Sequence, residues 1–377
     1  MKARYLLEQI ENRGMEVIVG VPDSTLKQFC DGVQMYEGNL QHYVTANEGA
    51  AVGVAVGTYL ASGKPACVYL QNSGIGNIVN PVASLANSDV YGIPMLFIVG
   101  WRGEPGVKDE PQHVFQGKIT CELFEVLNIP YAVVDKNTTE QEMAEILNRA
   151  EEAFGQKKQF AIIVKKGTFE KADKFEWNNG YPMNREWVLG ELLKSIPEDA
   201  CIISTTGKIS RELYERSNAQ RGNHDALFMT VGGMGHASMI AFGVAKKQPK
   251  RTVFCVDGDG AALMHMGALP FLGGNAPENF VHIVINNTAH ESVGAMPTGC
   301  QETNLAKLAE AAGYRYSERI MDAEGLRKLV ENLPQRKGPV FYEIMVALES
   351  REDLCRPAET ARENKDAFMN YLGSVEK

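Results

Sequence analysis

The chain has 377 residues, of which 44% are hydrophobic and 23% charged, with a net charge of -9. That is ordinary globular composition, long enough for two cores rather than one. The acidic balance excludes non-specific nucleic-acid binding but leaves room for a local basic pocket and a small anionic substrate.

Cys30, Cys67, Cys121, Cys201, Cys255, Cys300 and Cys355 are dispersed, odd in number and without a C-x-x-C pair. They read as reduced thiols of a cytoplasmic protein. Met1 to Ile10 carries charges too early and too often for a signal peptide. The uncharged stretches Gly49 to Gly63 and Pro65 to Trp101 are broken by Gly, Pro, Asn and Lys64. They read as buried α/β elements, not membrane spans.

The first half alternates strand and helix. Met15 to Val19 predicts a strand ending in Gly20-Val21-Pro22-Asp23-Ser24, where Asp23 or Ser24 can cap the next helix. Leu40 to Ala46 predicts a second strand. Asn47 to Gly57 follows as a helix almost without bulky side chains, a composition that implies close packing against something. Pro65 to Leu70, Ile93 to Val99, Tyr131 to Val134 and Phe160 to Val164 complete the strands. Such alternation predicts a parallel sheet with helices on both faces. Lys165 to Tyr181 loses periodicity and reads as an interdomain linker.

The second half restarts the pattern. Asn184 caps a predicted helix Arg185 to Ser195. Strand Cys201 to Ser204 ends in Thr205-Thr206-Gly207-Lys208, and a helix runs through Arg211 to Arg216. Strand Ala226 to Val231 leads into Gly232-Gly233-Met234-Gly235 and a second small-residue helix. Val253 to Val256 is an apolar run that breaks on Asp257-Gly258-Asp259-Gly260. Ala261 to Leu269 predicts a helix, and Ile283 to Ile285 is a strand ending on Asn286-Asn287. Both strands therefore end on oxygen donors at one sheet edge, the edge where ligands bind in such folds. A carboxylate and an amide oxygen, with phosphate and water, suit Mg2+. Pro339 to Val346 predicts the last strand, and the residues beyond about Glu349 are charged and helical in tendency. The order of small-residue helix, strand, Gly-rich break and helix occurs in both halves, which suggests two domains of one architecture.

No G-x-x-x-x-G-K-[ST] motif occurs. Leu263 occupies the third glycine position of a dinucleotide fingerprint around Gly258 and Gly260. Gly258-Asp259-Gly260, twenty-five residues and then Asn286-Asn287 instead resembles the motif of thiamine-diphosphate-dependent decarboxylases. Asn47-Glu48-Gly49-Ala50-Ala51 and Gly232-Gly233-Met234-Gly235 resemble two further segments of that family. Within it, Gly20 to Ser24, Ser204 to Lys208 and His290 to Gly294 resemble the branch that decarboxylates phosphonopyruvate, with the sulfopyruvate branch next. Larger members carry a middle domain that this chain lacks.

The resemblance implies an α/β fold of two thiamine-diphosphate-binding-type domains, each a parallel sheet with helices on both faces. It implies a pyrimidine-binding domain (1–166), a linker (167–183), a diphosphate-binding domain (184–350) and a C-terminal helical arm or tail (351–377). It also implies that Asp259, the Asn286 side chain and the Thr288 carbonyl bind Mg2+. Gly258, Gly260 and Ala261, with Thr206 and Gly207, would line the diphosphate. Glu48 would hydrogen-bond the pyrimidine and favour the tautomer that activates the cofactor, its proton retained by desolvation. Met234 would prop the cofactor's bend, and the Gly232 carbonyl would meet the pyrimidine. Asp257 is assigned a structural part. Ser24, Arg102, His113, Lys208 and His290 are the candidates for the substrate anion. The implied partner is a second copy of the chain, with active sites at the subunit interface. Three alternatives stand beside this reading: a sulfopyruvate decarboxylase, a carboligase of the acetolactate synthase type, and a non-catalytic cofactor-binding subunit.

Overall fold

The computed structural model describes residues 1–171, 173–333 and 336–373. Ala172 of the expected linker, residues 334–335 of the expected second domain and residues 374–377 of the expected arm lie outside the described residues. Two compact units emerge, residues 1–176 with 292–296, and residues 177–291 with 297–377. The return of 292–296 to the first unit has no signature in the sequence; there Met296 joins the buried core.

In the first unit the strands are β1 (Val17–Gly20), β2 (Gln41–Val44), β3 (Ala66–Gln71), β4 (Met95–Gly100), β5 (Tyr131–Val134) and β6 (Phe160–Val164). The helices are α1 (Ala3–Asn12), α2 (Lys27–Gln34), α3 (Glu48–Ser62), α4 (Ile75–Pro81), α5 (Pro111–Val126) and α6 (Glu140–Gly155). The sheet is wholly parallel, in the order β2-β1-β3-β4-β6-β5. Its central strands are buried on both faces, as a helix-covered parallel sheet requires. Ile18, Tyr69, Leu96 and Ile162 point into one core, and Val19, Val68, Phe97 and Ile163 into the other.

The second unit holds β7 (Cys201–Ser204), β8 (Leu227–Met229), β9 (Val253–Gly258), β10 (Phe280–Asn286), β11 (Tyr316–Ile320) and β12 (Val340–Met345). Its helices are α7 (Arg185–Ser195), α8 (Lys208–Arg221), α9 (Ala237–Lys247), α10 (Asp259–Met264), α11 (Ala268–Asn275), α12 (Leu305–Ala311), α13 (Ala323–Asn332) and α14 (Ala361–Gly373). The strands are again parallel, ordered β11-β12-β10-β9-β7-β8. Renumbered within its unit and read from the other edge, this is the first sheet's order repeated. The echo of the two halves is thus a repeated topology.

Two details differ from the sequence reading, and a third decides between an arm and a tail. The predicted helix 261–269 is broken: α10 stops at Met264, and the ring of His265 packs 4.4 Å from His236 before α11 begins. Strand β11 is new; its residues, Tyr-Ser-Glu-Arg-Ile, make no apolar run because it is an edge strand. Helix α14 is docked on the opposite edge. Asn364 accepts from Met229 N at 3.0 Å and donates to Leu227 O at 2.9 Å, occupying main-chain groups of edge strand β8.

Candidate active site

In a parallel sheet the crevice lies where neighbouring strands send their connections in opposite directions. In the second unit that point is between β7 and β9. Strand β7 delivers Thr205, Thr206 and Gly207 there, and β9 delivers Gly258, Asp259 and Gly260. Gly207 has φ +101°, a turn that suits glycine, and starts α8 at Lys208. Hydroxyls brace the turn: Ser210 donates to Thr205 O at 2.5 Å, and Thr230 to Ser204 O at 2.6 Å.

Asp259 opens α10 and is buried. Its Oδ2 accepts from Thr298 Oγ1 at 2.7 Å. Burial pushes its pKa up to about 7, against the hydrogen bonds from Thr298 and its neighbours and with help from Glu343. Asn286, at the end of β10 and fully buried, donates to Glu343 Oε1 at 2.8 Å, and its Oδ1 accepts from Thr288 N at 2.9 Å. Those two bonds fix which way the amide faces. Thr288 has φ +59°, its carbonyl accepts from Thr298 N at 2.9 Å, and its buried Oγ1 has no partner. Carboxylate, amide and carbonyl oxygens are the donor types that Mg2+ takes. A buried carboxyl held at high pKa for want of a counter-charge is where a dication belongs. The residues fit the metal.

The loop between β8 and α9 turns through Gly232, Gly233 and Gly235 at φ +79°, +56° and +88°. It carries half-buried Met234. A Cβ on Gly260 would stand 3.4 Å from Met234 Cε and 3.1 Å from His290 Cε1. Met234, His290 and the Gly258–Gly260 turn therefore meet in one small space. Burial lowers the His290 pKa to about 4, so its imidazole is neutral. Lys208 is engaged elsewhere: its Nζ donates to Glu291 at 2.9 Å and to Ser350 at 2.6 Å. Glu291 also accepts from Asn287 at 2.9 Å and pairs with buried Arg185, which forks onto Glu212 at 2.7 Å.

In the first unit the corresponding crevice is between β1 and β3. Asp23 spans it: Oδ1 accepts from Gln71 at 2.5 Å, and Oδ2 accepts from Thr25 N and Leu26 N just before α2. Ser24 caps nothing; its Oγ accepts from Arg102 Nη1 at 2.9 Å. Asp109 grips the same guanidinium at Nε (2.8 Å) and Nη2 (2.5 Å) and also accepts from Gly103 N. Asn72 holds the Arg102 main chain from both sides. His113 lies on the same loop-and-helix segment; its Nδ1 is buried without a partner, and burial, then Arg102, lower its pKa.

Glu48 is the first residue of α3, behind the Asn47 cap that accepts from Gly49 N at 2.7 Å. The side chain is 4% exposed, and burial raises its pKa. Oε2 accepts from Asn77 Nδ2 at 2.6 Å. The carboxyl lies against Gly74, where any Cβ would collide with it.

The supporting residues escaped the sequence reading. Gly74 and Asn77 follow closely on strand β3, with nothing in the sequence to tie them to Glu48. Glu343 had a signal: it is a carboxylate amid the apolar strand β12, entirely buried. Thr298 and Asp109 had none.

Residues 2–123 match the family described as "Thiamine pyrophosphate enzyme, N-terminal TPP binding domain", and residues 206–344 match its "C-terminal TPP binding domain". The chain is 32% identical to phosphonopyruvate decarboxylase of Streptomyces viridochromogenes, covering 98% of this chain and 94% of that protein. It is 31% identical to the Streptomyces hygroscopicus protein of the same name, over 98% and 94%. Sulfopyruvate decarboxylase of Methanosarcina acetivorans is 25% identical, over 85% of each chain.

Proposed function

Because the chain belongs to the thiamine-diphosphate-dependent 2-oxo acid decarboxylases, we propose that its substrate is phosphonopyruvate, converted with uptake of one proton to phosphonoacetaldehyde and CO2 in phosphonate biosynthesis. The observation that carries the choice is likeness along 98% of the chain to proteins named for that substrate. The bidentate Arg102–Asp109 pair beside Ser24 supports it, because a preorganised guanidinium suits a tetrahedral anion.

When bound, thiamine diphosphate supplies the nucleophilic carbon and the electron sink for loss of CO2. The protein's part is positioning and proton handling. Asp259, Asn286 Oδ1 and the Thr288 carbonyl would hold Mg2+, and the Thr206–Gly207 turn with Gly258, Gly260 and Ala261 would receive the diphosphate at the start of α8. Met234 would set the cofactor's bend, and the Gly232 carbonyl would accept from its amine. Asn77 occupies Glu48 Oε2, which leaves Oε1 to carry the proton, a form that burial favours by raising the carboxyl's pKa. Arg102, Ser24 and His113 form one candidate anion cluster. His290, neutral and beside Met234, would exchange a proton rather than offer a charge. Lys208 is the weakest of the five, being engaged by Glu291 and Ser350.

The assembly we propose is a homodimer or larger, with each active site completed by a second copy. Support comes from α3. Ala51, Val52, Ala55 and Val56 fill the core, while Gly53, Val54, Gly57 and Leu60 form an exposed small, apolar face. All seven cysteines are unpaired, which supports a reducing, cytoplasmic setting; among the described residues no helix is long and apolar enough to cross a membrane.

The test is CO2 release with thiamine diphosphate and Mg2+ from phosphonopyruvate, sulfopyruvate and pyruvate at matched concentrations. Preference for phosphonopyruvate is expected. Preference for sulfopyruvate, the reading the Methanosarcina relative favours, would overturn the substrate and leave the catalytic residues. Glu48→Gln should lower kcat by about a thousandfold while thiamine diphosphate still raises the Tm; unchanged turnover would remove Glu48 from its role.

A further inference from the structure

Below the Asp259 edge of the second sheet lies a polar cluster that none of these roles uses. Strands β9 and β10 set Cys255 beside His282, and Asp257 beside Val284. Paired residues of neighbouring strands share a face. Cys255, Asp257 and His282 are 0%, 1% and 1% exposed, and their donor atoms all lie within 4.8 Å of one another. Asp257 Oδ2 and His282 Nε2 are both buried without a hydrogen bond, 3.8 Å apart. That is too long for a hydrogen bond. It is close to the spacing of about 3.3–3.7 Å between two ligands of a tetrahedral ion with bonds of about 2.0–2.3 Å.

The remaining atoms of the cluster are organised as a ligand set requires. Asp257 Oδ1 accepts from Gly258 N at 2.9 Å, which fixes the carboxylate. His282 Nδ1 is 3.2 Å from Tyr314 Oη. With Nδ1–H donating to that hydroxyl, Nε2 keeps its lone pair and faces Asp257, the outer-shell arrangement of metal-bound histidines.

We propose that Cys255 Sγ, Asp257 Oδ2 and His282 Nε2 bind a divalent ion of the zinc class, at a site distinct from the oxygen-only set of Asp259, Asn286 and Thr288. Three protein donors leave one position for a small ligand, and thiolate with imidazole selects against Mg2+. A thiolate and a carboxylate neutralise a dication, so the buried cluster carries no net charge once filled. The ion ties β9 to β10 ahead of the turn that carries Asp259. Full burial means that it enters as the chain folds.

The experiment grows full-length protein in cobalt-supplemented, zinc-depleted medium and exchanges it into Mg2+ with EDTA. Metal content and the absorption spectrum are then read. About one tightly held Co2+ per chain is expected, with a near-ultraviolet thiolate-to-cobalt band and the visible bands of tetrahedral geometry. The oxygen-only set cannot produce the thiolate band. Cys255→Ser and the apolar Cys255→Val should lose band and cobalt together while circular dichroism shows them folded. Folded wild-type protein without cobalt, cobalt without the thiolate band, or equal cobalt in folded variants would each overturn the site. Were neither variant to fold, the wild-type spectrum decides alone.

Discussion

Asp109 answers the Arg102 guanidinium at two nitrogens and Gly103 N as well, so the fold itself fixes the direction of the arginine, as the proposed anion site requires. Those bonds hold the Asp109 carboxyl well below its usual range; Arg102 contributes most. Asp109→Asn keeps the shape and weakens the fork. In steady-state kinetics it should raise KM for phosphonopyruvate roughly tenfold with little change in kcat, and leave KM for pyruvate alone. An equal rise for both substrates would mean that Arg102 does not read the distal anion. A second residue sets an acid limit on stability. His42 on β2 is 2.9 Å from Tyr69 Oη, and burial lowers its pKa to about 4. A histidine depressed in the folded state contributes stability above its unfolded pKa of about 6.5, and loses it as pH falls toward the folded value. By pH 5 the loss from His42 is about 2 kcal/mol. His42→Gln should therefore flatten the drop in denaturant midpoint between pH 7 and pH 5. An unchanged drop would assign it to other groups.

Among the elements, α3 shows how one helix serves two surfaces. Its buried half packs on β1 and β3, while on the other half a Cβ added at Gly53 or Gly57 would meet nothing within 4 Å and Val54 is exposed. If the proposed assembly forms through this face, Val54→Glu should leave far-ultraviolet circular dichroism unchanged, give monomers by light scattering where the wild type gives a dimer or larger, and abolish turnover. Retained oligomers would place the contact elsewhere. The small residues of α3 were legible as a sign of close packing because side chains that small have few other uses in a helix. Strands buried on both faces were equally legible: β3, β4, β6, β9 and β10 are near-continuous apolar runs. Strand β11 was not, since an edge strand can carry Ser, Glu and Arg. Helix 261–269 was misread because the Gly232–Gly235 loop, close in space and distant in sequence, presses against His265, Met264 and Ala261. The metal-type donors were legible as a spacing. Thr298, which braces Asp259, was not, because nothing local marks a partner more than thirty residues away, and the lone carboxylate of Glu343 in an apolar run marked a buried acid without pointing to Asn286.

At the scale of the whole molecule, one strand order serves two chemistries. The crevice between β1 and β3 lies near an arginine clamp, and the crevice between β7 and β9 holds a set of oxygen donors. The repeat extends to the strand edges, and there the second unit has an addition: α14 laid on β8, with Phe368 packed 5.5 Å from Phe228 and Asn364 satisfying main-chain groups at Leu227 and Met229. An open strand edge is a template for pairing with other chains. Ending the chain at Thr360 should leave the first turnovers intact while light scattering rises during incubation at 37 °C; a truncated protein that stays clear would show that β8 needs no cover. In a cell, loss of this helix would then make the enzyme short-lived rather than inactive, so its working lifetime would rest on a segment to which the proposed chemistry assigns no residue.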